Sequence, residues 1–356
     1  VTAGDAAAKF AGVKPVEERH RFDEAALARW MAANVEGYAG PLTVHQFKGG
    51  QSNPSYRLDT PGRSYVLRRK PFGPLLPSAH AVDREFRVIS GLHPTGFPVP
   101  RPFALCEDAG VIGAMFYIMD YVDGRVLWDG SLPGMTPDQR RATYFAAIET
   151  LARLHQTDHV AIGLETYGKP GNYFARQIER WTRQYRASET QTIAPMDRLI
   201  DWLPTTVPAQ DRTTIVHGDY RIDNMVFAAG EARVAAVLDW ELSTLGDPLA
   251  DFSYFLMQWA LPADGRSGLA GLDLGALGIP SVEAATTHYC RLTGRDGLPG
   301  LDWYFAYNLF RLVGIVQGIA KRIEEGTAAS AQAAEAAARA VPLAERAWAF
   351  AVRAGA

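Results

Sequence analysis

From Asp23 the apolar residues Leu27, Trp30, Met31 and Val35 recur at helical spacing as far as Gly37, with Asp23 placed to cap the start, so an amphipathic helix is expected first. The period then shortens. Thr43–Lys48, Ser55–Asp59 and Ser64–Arg69 read as strands, with turn chemistry at Thr60-Pro61-Gly62-Arg63, and further strands are expected at about 102–107 and 115–121. One helix, about 80–92, should pack on this antiparallel sheet. Asp123-Gly124 breaks the pattern. Beyond it, helical periodicity dominates at about 137–156, 172–187, 249–259, 281–292, 301–325 and 331–353. The Ala-rich last segment reads as a strong helix former rather than as low complexity. Residues 1 to about 20 have no clear apolar face and are expected to be mobile or loosely docked. The chain therefore reads as α+β and two-lobed: an arm over 1–22, a small antiparallel-sheet lobe over 23–122 and a larger, mainly helical lobe over 123–356.

Strand signals interrupt the helical half. Thr213–Val216 is β-branched and apolar, Asn224–Ala228 is a second short strand, and Arg233–Leu238 is a third that returns Asp239 to the same end of a small sheet. Between the first two lies His217-Gly218-Asp219-Tyr220-Arg221-Ile222-Asp223-Asn224. Asp219, Asn224 and Asp239 can then converge, and this set suits phosphoryl transfer. That reaction needs one carboxylate to orient the attacking hydroxyl and take its proton, and an Asn with a second carboxylate to hold Mg²⁺ on the phosphates. Asp219, Asn224 and Asp239 fit those roles in that order. The competing reading makes Asp219 and Asp223 turn residues and Asn224 an Asx-turn former; the following Asp239 on its own strand argues for the chemical reading.

With Leu238-Asp239-Trp240, Gly49-Gly50-Gln51-Ser52-Asn53, Tyr65-Val66-Leu67-Arg68, Arg84-Glu85 and Gly246-Asp247-Pro248-Leu249-Ala250-Asp251-Phe252, the chain resembles the aminoglycoside phosphotransferase/choline kinase-type family, relatives of the protein kinases. Within that family it is most similar to the kinase-like domains associated with acyl-CoA dehydrogenases. The resemblance covers about 40 to 325 and implies a protein-kinase-like fold, ATP and Mg²⁺. It also implies phosphate contacts from Ser52 or its backbone with Asn53, and adenine contacts from the Asp120 carbonyl and the Val122 amide. Asp251 resembles the buried acid that braces the catalytic loop, and His217 the structural histidine ahead of the catalytic Asp. Gly49 and Gly50 let backbone N–H groups approach phosphate oxygens, although a hairpin turn uses the same residues. A kinase also needs a cation on the phosphates, held by a helix carboxylate. Glu85 is the candidate carboxylate. For the cation the resemblance selects Arg68, while strand alternation puts Lys70 on the same face. A solvated, aggregation-resistant strand edge is the plain alternative for this basic run.

Composition changes the picture little. Net charge is −3, hydrophobic residues make up 47% and charged ones 21%, so nothing calls for nucleic acid or a membrane surface. Cys106 and Cys290 lie in unlike contexts and read as ordinary thiols. No apolar run approaches ~18 residues and no signal-like start is seen, so a cytoplasmic protein is expected. Residues 261–356 hold nine acidic and nine basic side chains, without the acidic bias that a polycationic aminoglycoside would favour. Arg176, Arg180 and Arg183 instead share one face of the 172–187 helix, which suits an anionic partner or is simply a solvated face. The resemblance implies a hydroxyacyl-CoA acceptor, such as a 4-hydroxyacyl-CoA, and a functional association with an acyl-CoA dehydrogenase. Three classes stay open: a small-molecule kinase, whose acceptor on the alternative reading is an aminoglycoside or another small alcohol; a metal-dependent phosphohydrolase using His217, Asp219 and Asp239; and a non-catalytic nucleotide-binding module.

Overall fold

The structure, a computed structural model, describes residues 12–48, 53–72, 81–263, 267–325 and 337–356. Its first part is β1 (Val13–Lys14), α1 (Glu24–Asn34), β2 (Thr43–Phe47), β3 (Ser55–Asp59), β4 (Ser64–Arg69), α2 (Val82–Leu92), β5 (Pro102–Cys106) and β6 (Phe116–Asp120). The strands form one antiparallel sheet in the order β1-β2-β3-β4-β6-β5, which puts β4 between two partners. Side chains alternate across it. Tyr56, Leu58, Tyr65, Leu67, Phe116 and Ile118 pack with Leu27 and Met31 of α1 on one face. Arg68 therefore projects from the other. Asp23 caps α1 as expected, its carboxylate accepting from Ala26 N–H at 2.8 Å.

The described part of the expected arm runs along the edge of the sheet. Val13 and Lys14 pair with Phe47 and Gln46, and the Tyr56 hydroxyl donates to the His20 carbonyl at 3.2 Å. An open sheet edge recruits the chain here through backbone bonds, which leave no apolar periodicity to read. Residues 1–11 lie outside the described residues.

The second part comprises β7 (Arg125–Val126), α3 (Pro137–Gln156), α4 (Tyr173–Ala187), α5 (Ala194–Trp202), β8 (Thr214–Val216), β9 (Met225–Phe227), β10 (Val234–Val237), β11 (Thr244–Gly246), α6 (Pro248–Leu256), α7 (Val282–Thr293), α8 (Leu301–Glu324) and α9 (Ala340–Arg353). A Thr136/Gln139 capping box starts α3. The long α8 buries Phe305, Leu309, Phe310 and Val313 in a core that also takes in Val88, Ile89 and Leu92 of α2. One apolar cluster thus ties α2 to the helical part. The three strands around the catalytic loop do not make a single small sheet. β9 pairs with β10 on one side and β7 on the other, whereas β8 pairs with β11. No helix among the described residues is long and apolar enough to cross a membrane.

Candidate active site

Buried β8 ends at Val216 and releases the loop that carries Asp219. The turn requires glycine: Gly218 has φ +85°, and a Cβ there would come within 2.7 Å of the Leu242 carbonyl oxygen. Asp251, in the first turn of α6, holds the loop from beneath, accepting from the His217 N–H at 2.5 Å and the Gly218 N–H at 2.8 Å. This is the bracing role that the sequence resemblance implied. Both ring nitrogens of His217 are engaged, Nε2 with the Leu238 carbonyl at 2.9 Å and Nδ1 with the Asp219 N–H at 3.2 Å. His217 shapes the loop and has no ring nitrogen left for a metal.

Asp219 is anchored through both carboxylate oxygens. Oδ2 accepts from the Asn224 amide at 2.9 Å and Oδ1 from the Tyr254 hydroxyl at 2.8 Å, with Arg221 Nε 3.3 Å from Oδ1. Burial works against the charge, but Arg221, the Tyr254 hydroxyl and Arg311 outweigh it, so the carboxyl lies below the usual aspartate range. Asp219 is ionised at neutral pH, as a proton acceptor must be. Arg221 also contacts Asp223 at 3.1 Å; burial nevertheless raises the Asp223 carboxyl above its ordinary value.

Across from this loop, Arg68 reaches down from β4 into three carboxylates. Its guanidinium lies 2.7 Å from Glu85 on α2, 2.5 Å from Asp239 and 3.8 Å from Glu241. Burial disfavours the charge, yet Glu85 and Asp239 keep the guanidinium firmly protonated. Lys70 lies instead 3.5 Å from Asp83, so Arg68 is the cation that pairs with Glu85. Asp239 adopts a left-handed conformation, φ 64°, outside any turn glycine; such backbone is retained where a side chain must be aimed. Asn224 and Asp239 are linked through the Asn224 carbonyl, which accepts from Leu238 N–H at 2.8 Å. Asn224 turns its amide nitrogen to Asp219. Its amide oxygen and the partly exposed Asp239 carboxylate are the hard oxygen donors that fit Mg²⁺ shared with phosphates.

These pieces make a kinase-like catalytic centre, and comparison with known proteins agrees. A family model described as "Phosphotransferase enzyme family" matches residues 43–284. The chain belongs to that family. Among curated proteins, this phosphotransferase is 44% identical over 345 residues to acyl-CoA dehydrogenase family member 10 of Mus musculus, covering 96% of this chain and 32% of that protein. It is 43% identical over 345 residues to acyl-CoA dehydrogenase family member 11 of Gallus gallus, covering 94% and 44%. The chain thus spans less than half the length of these relatives. A crystal structure from Ralstonia eutropha JMP134, described as a candidate aminoglycoside phosphotransferase, is 53% identical with a TM-score of 0.86, covering 94% of this chain and 99% of that one. A thermostable mutant of aminoglycoside phosphotransferase APH(4)-Ia, 18% identical with a TM-score of 0.60, covers 94% and 99% and shares the fold. The phosphotransferase chain is accordingly a small-molecule phosphotransferase with a two-lobed, protein-kinase-like fold.

Other site residues expected from the sequence fare unevenly. Gly49, Gly50 and Ser52 lie outside the described residues. Asn53 is fully buried and donates its amide to Glu85 at 2.8 Å and Glu241 at 3.2 Å. Its side chain braces the carboxylates around Arg68. Asp120 ends β6, with its carboxylate paired to Arg63 at 2.8 Å and its backbone N–H bound to Arg101 O at 2.8 Å; Val122 follows just beyond the strand. The three arginines of α4 are not gathered into one anion site. Arg176 turns back to the carbonyls of Gly171 and Lys169, Arg183 pairs with Glu179 at the surface, and Arg180 lies beside Trp181, 5.7 Å from its ring centre. Glu179, four residues before Arg183, supplies the local partner that the stripe reading overlooked. Tyr254, Arg311 and Glu241 join the site without any signal of spacing; Glu241, two residues after Asp239, was the one within reach of the motif.

Proposed function

We propose that this phosphotransferase moves the γ-phosphoryl group of ATP, with Mg²⁺, to a hydroxyl of a small molecule, and that the acceptor is a hydroxyacyl-CoA such as a 4-hydroxyacyl-CoA. The reading is carried by Arg68, which touches Glu85 on α2 and Asp239 after β10 and so draws the sheet, the helix and the metal-binding carboxylate to one point. Residues 23–122 are taken as the nucleotide-binding lobe and 123–356 as the lobe with the catalytic loop and acceptor site. Gly49, Gly50, Ser52 and the backbone of Asn53 are assigned to the phosphates, and the Asp120 carbonyl and Val122 amide to the adenine. Mg·ATP supplies the transferable phosphoryl group and the cation that offsets its charge. Asn224 and Asp239 would hold the metal, and Arg68 would supply the cation to the phosphates. Asp219 orients the acceptor hydroxyl and takes its proton.

The acceptor assignment draws on charge and kinship. Arg221, partly exposed beside Asp219, is a cation that an anionic acceptor would meet. Acyl-CoA dehydrogenase names among the relatives point to CoA esters and to work alongside such a dehydrogenase. Of the three arginines on α4, Arg180 remains the one assigned to acceptor binding. A phosphohydrolase using His217, Asp219 and Asp239 is disfavoured because both His217 ring nitrogens are committed. Incubation with γ-labelled ATP and Mg²⁺ against 4-hydroxyacyl-CoAs, aminoglycosides and simple alcohols is the test. Label transfer to the CoA esters is expected. Transfer only to an aminoglycoside would overturn the acceptor, and release of free phosphate alone from every mixture would overturn the kinase reading.

A further inference from the structure

Tyr254 lies on α6, one turn after the bracing Asp251, and no motif in the chain singles it out. Its hydroxyl donates to Asp219 Oδ1 at 2.8 Å, while Asn224 holds Oδ2 at 2.9 Å from the other side. The Tyr254 ring is itself held. The Arg311 guanidinium lies 5.2 Å from its centre and 5.6 Å from that of Trp181, and it donates to the Gly218 carbonyl at 2.5 Å. A carboxylate has about four lone-pair sites, so two opposed donors fix its plane and leave the others directed outward.

We propose that Tyr254 is a positioning residue for phosphoryl transfer: it fixes the Asp219 carboxylate so that a remaining lone pair meets the acceptor hydroxyl, with Arg311 clamping the tyrosine to the catalytic loop. This rests on the reading of Asp219 as the base.

The test uses the whole chain. In Tyr254→Phe, the kcat of acceptor-independent Mg·ATP hydrolysis is expected to fall roughly tenfold or more, while the KM for ATP and the stabilisation by Mg·ATP stay at wild-type values. Wild-type kcat in a natively folded Tyr254→Phe protein would overturn the proposal. Should that variant fail to fold, Arg311→Lys decides, because it keeps the charge and loses the fork that holds the Tyr254 ring and the Gly218 carbonyl. The same loss of kcat at unchanged KM is expected there, and full kcat sinks the idea. Full hydrolysis by Asp219→Asn would instead remove Asp219 as the base. A silent Tyr254→Phe beside an impaired Asp219→Asn strikes only the positioning role.

Discussion

Glu85 is 1% exposed and Arg68 8%, so each charge depends on the other for solvation. Removing one partner of such a pair leaves a buried charge without compensation, which costs about 3–5 kcal/mol. Arg68→Met should therefore lower the denaturation midpoint sharply, and Arg68→Met with Glu85→Gln should regain much of the loss, as chemical denaturation can measure. Full stability in the single variant would mean that Asn53 and the Tyr117 hydroxyl, which donate to Glu85 at 2.8 and 3.2 Å, suffice alone. Asp219 behaves differently, because its partners serve orientation more than stability. Asp219→Asn should reduce transfer about 10²–10⁴-fold while Mg·ATP still raises the melting temperature; near wild-type turnover would refute its assignment. Asp219, Asn224 and Asp239 were legible because their chemistry is packed into a loop and the strand pair after it. Tyr254 and Arg311 were not, since they come from other helices, 35 and 93 residues from their hydrogen-bond partners in the loop.

At the scale of elements, α6 begins with Asp247, whose side chain accepts from the Leu249 N–H at 2.8 Å. Burial pushes its carboxyl up to about 6, whereas an aspartate in an unfolded chain titrates near ~3.9. The folded state thus binds this proton more tightly, and stability from this group is greatest below pH ~4 and declines as pH rises toward 6. The gap corresponds to no more than ~3 kcal/mol at neutral pH. Asp247→Asn keeps the capping oxygen and loses the charge. It should melt above the wild type at pH 7 and converge with it near pH 4, whereas Asp247→Ala forfeits a cap worth ~1 kcal/mol. A wild-type-like Asn variant at pH 7 would argue that Asp247 is ionised at little cost. The helices were readable wherever a long apolar stripe met a cap, as in α3, which spans its expected bounds of 137–156. β7, β11 and α5 escaped notice. Two- and three-residue strands carry no period, and α5 is a nine-residue helix.

On the scale of the whole molecule, the two halves meet through Arg68 and through α2, whose apolar residues enter the helical core. Nucleotide binding should therefore be felt across the protein. Asp239→Ala should abolish the Mg²⁺-dependent part of the melting shift produced by ATP, and Asn224→Ala should weaken it; a full shift in the first would end the metal-ligand assignment. The clamp beneath the catalytic loop has a consequence of another kind. Asp251 is 1% exposed, binds two successive loop amides and lies 3.5 Å from the equally enclosed His155, so the loop can open only by uncovering a charge in the core. The His217 and Gly218 amides should then exchange with deuterium only through global unfolding, on the slowest timescale in the molecule. A catalytic loop with no local opening of its own would be a fixed anvil against which the reacting groups are set.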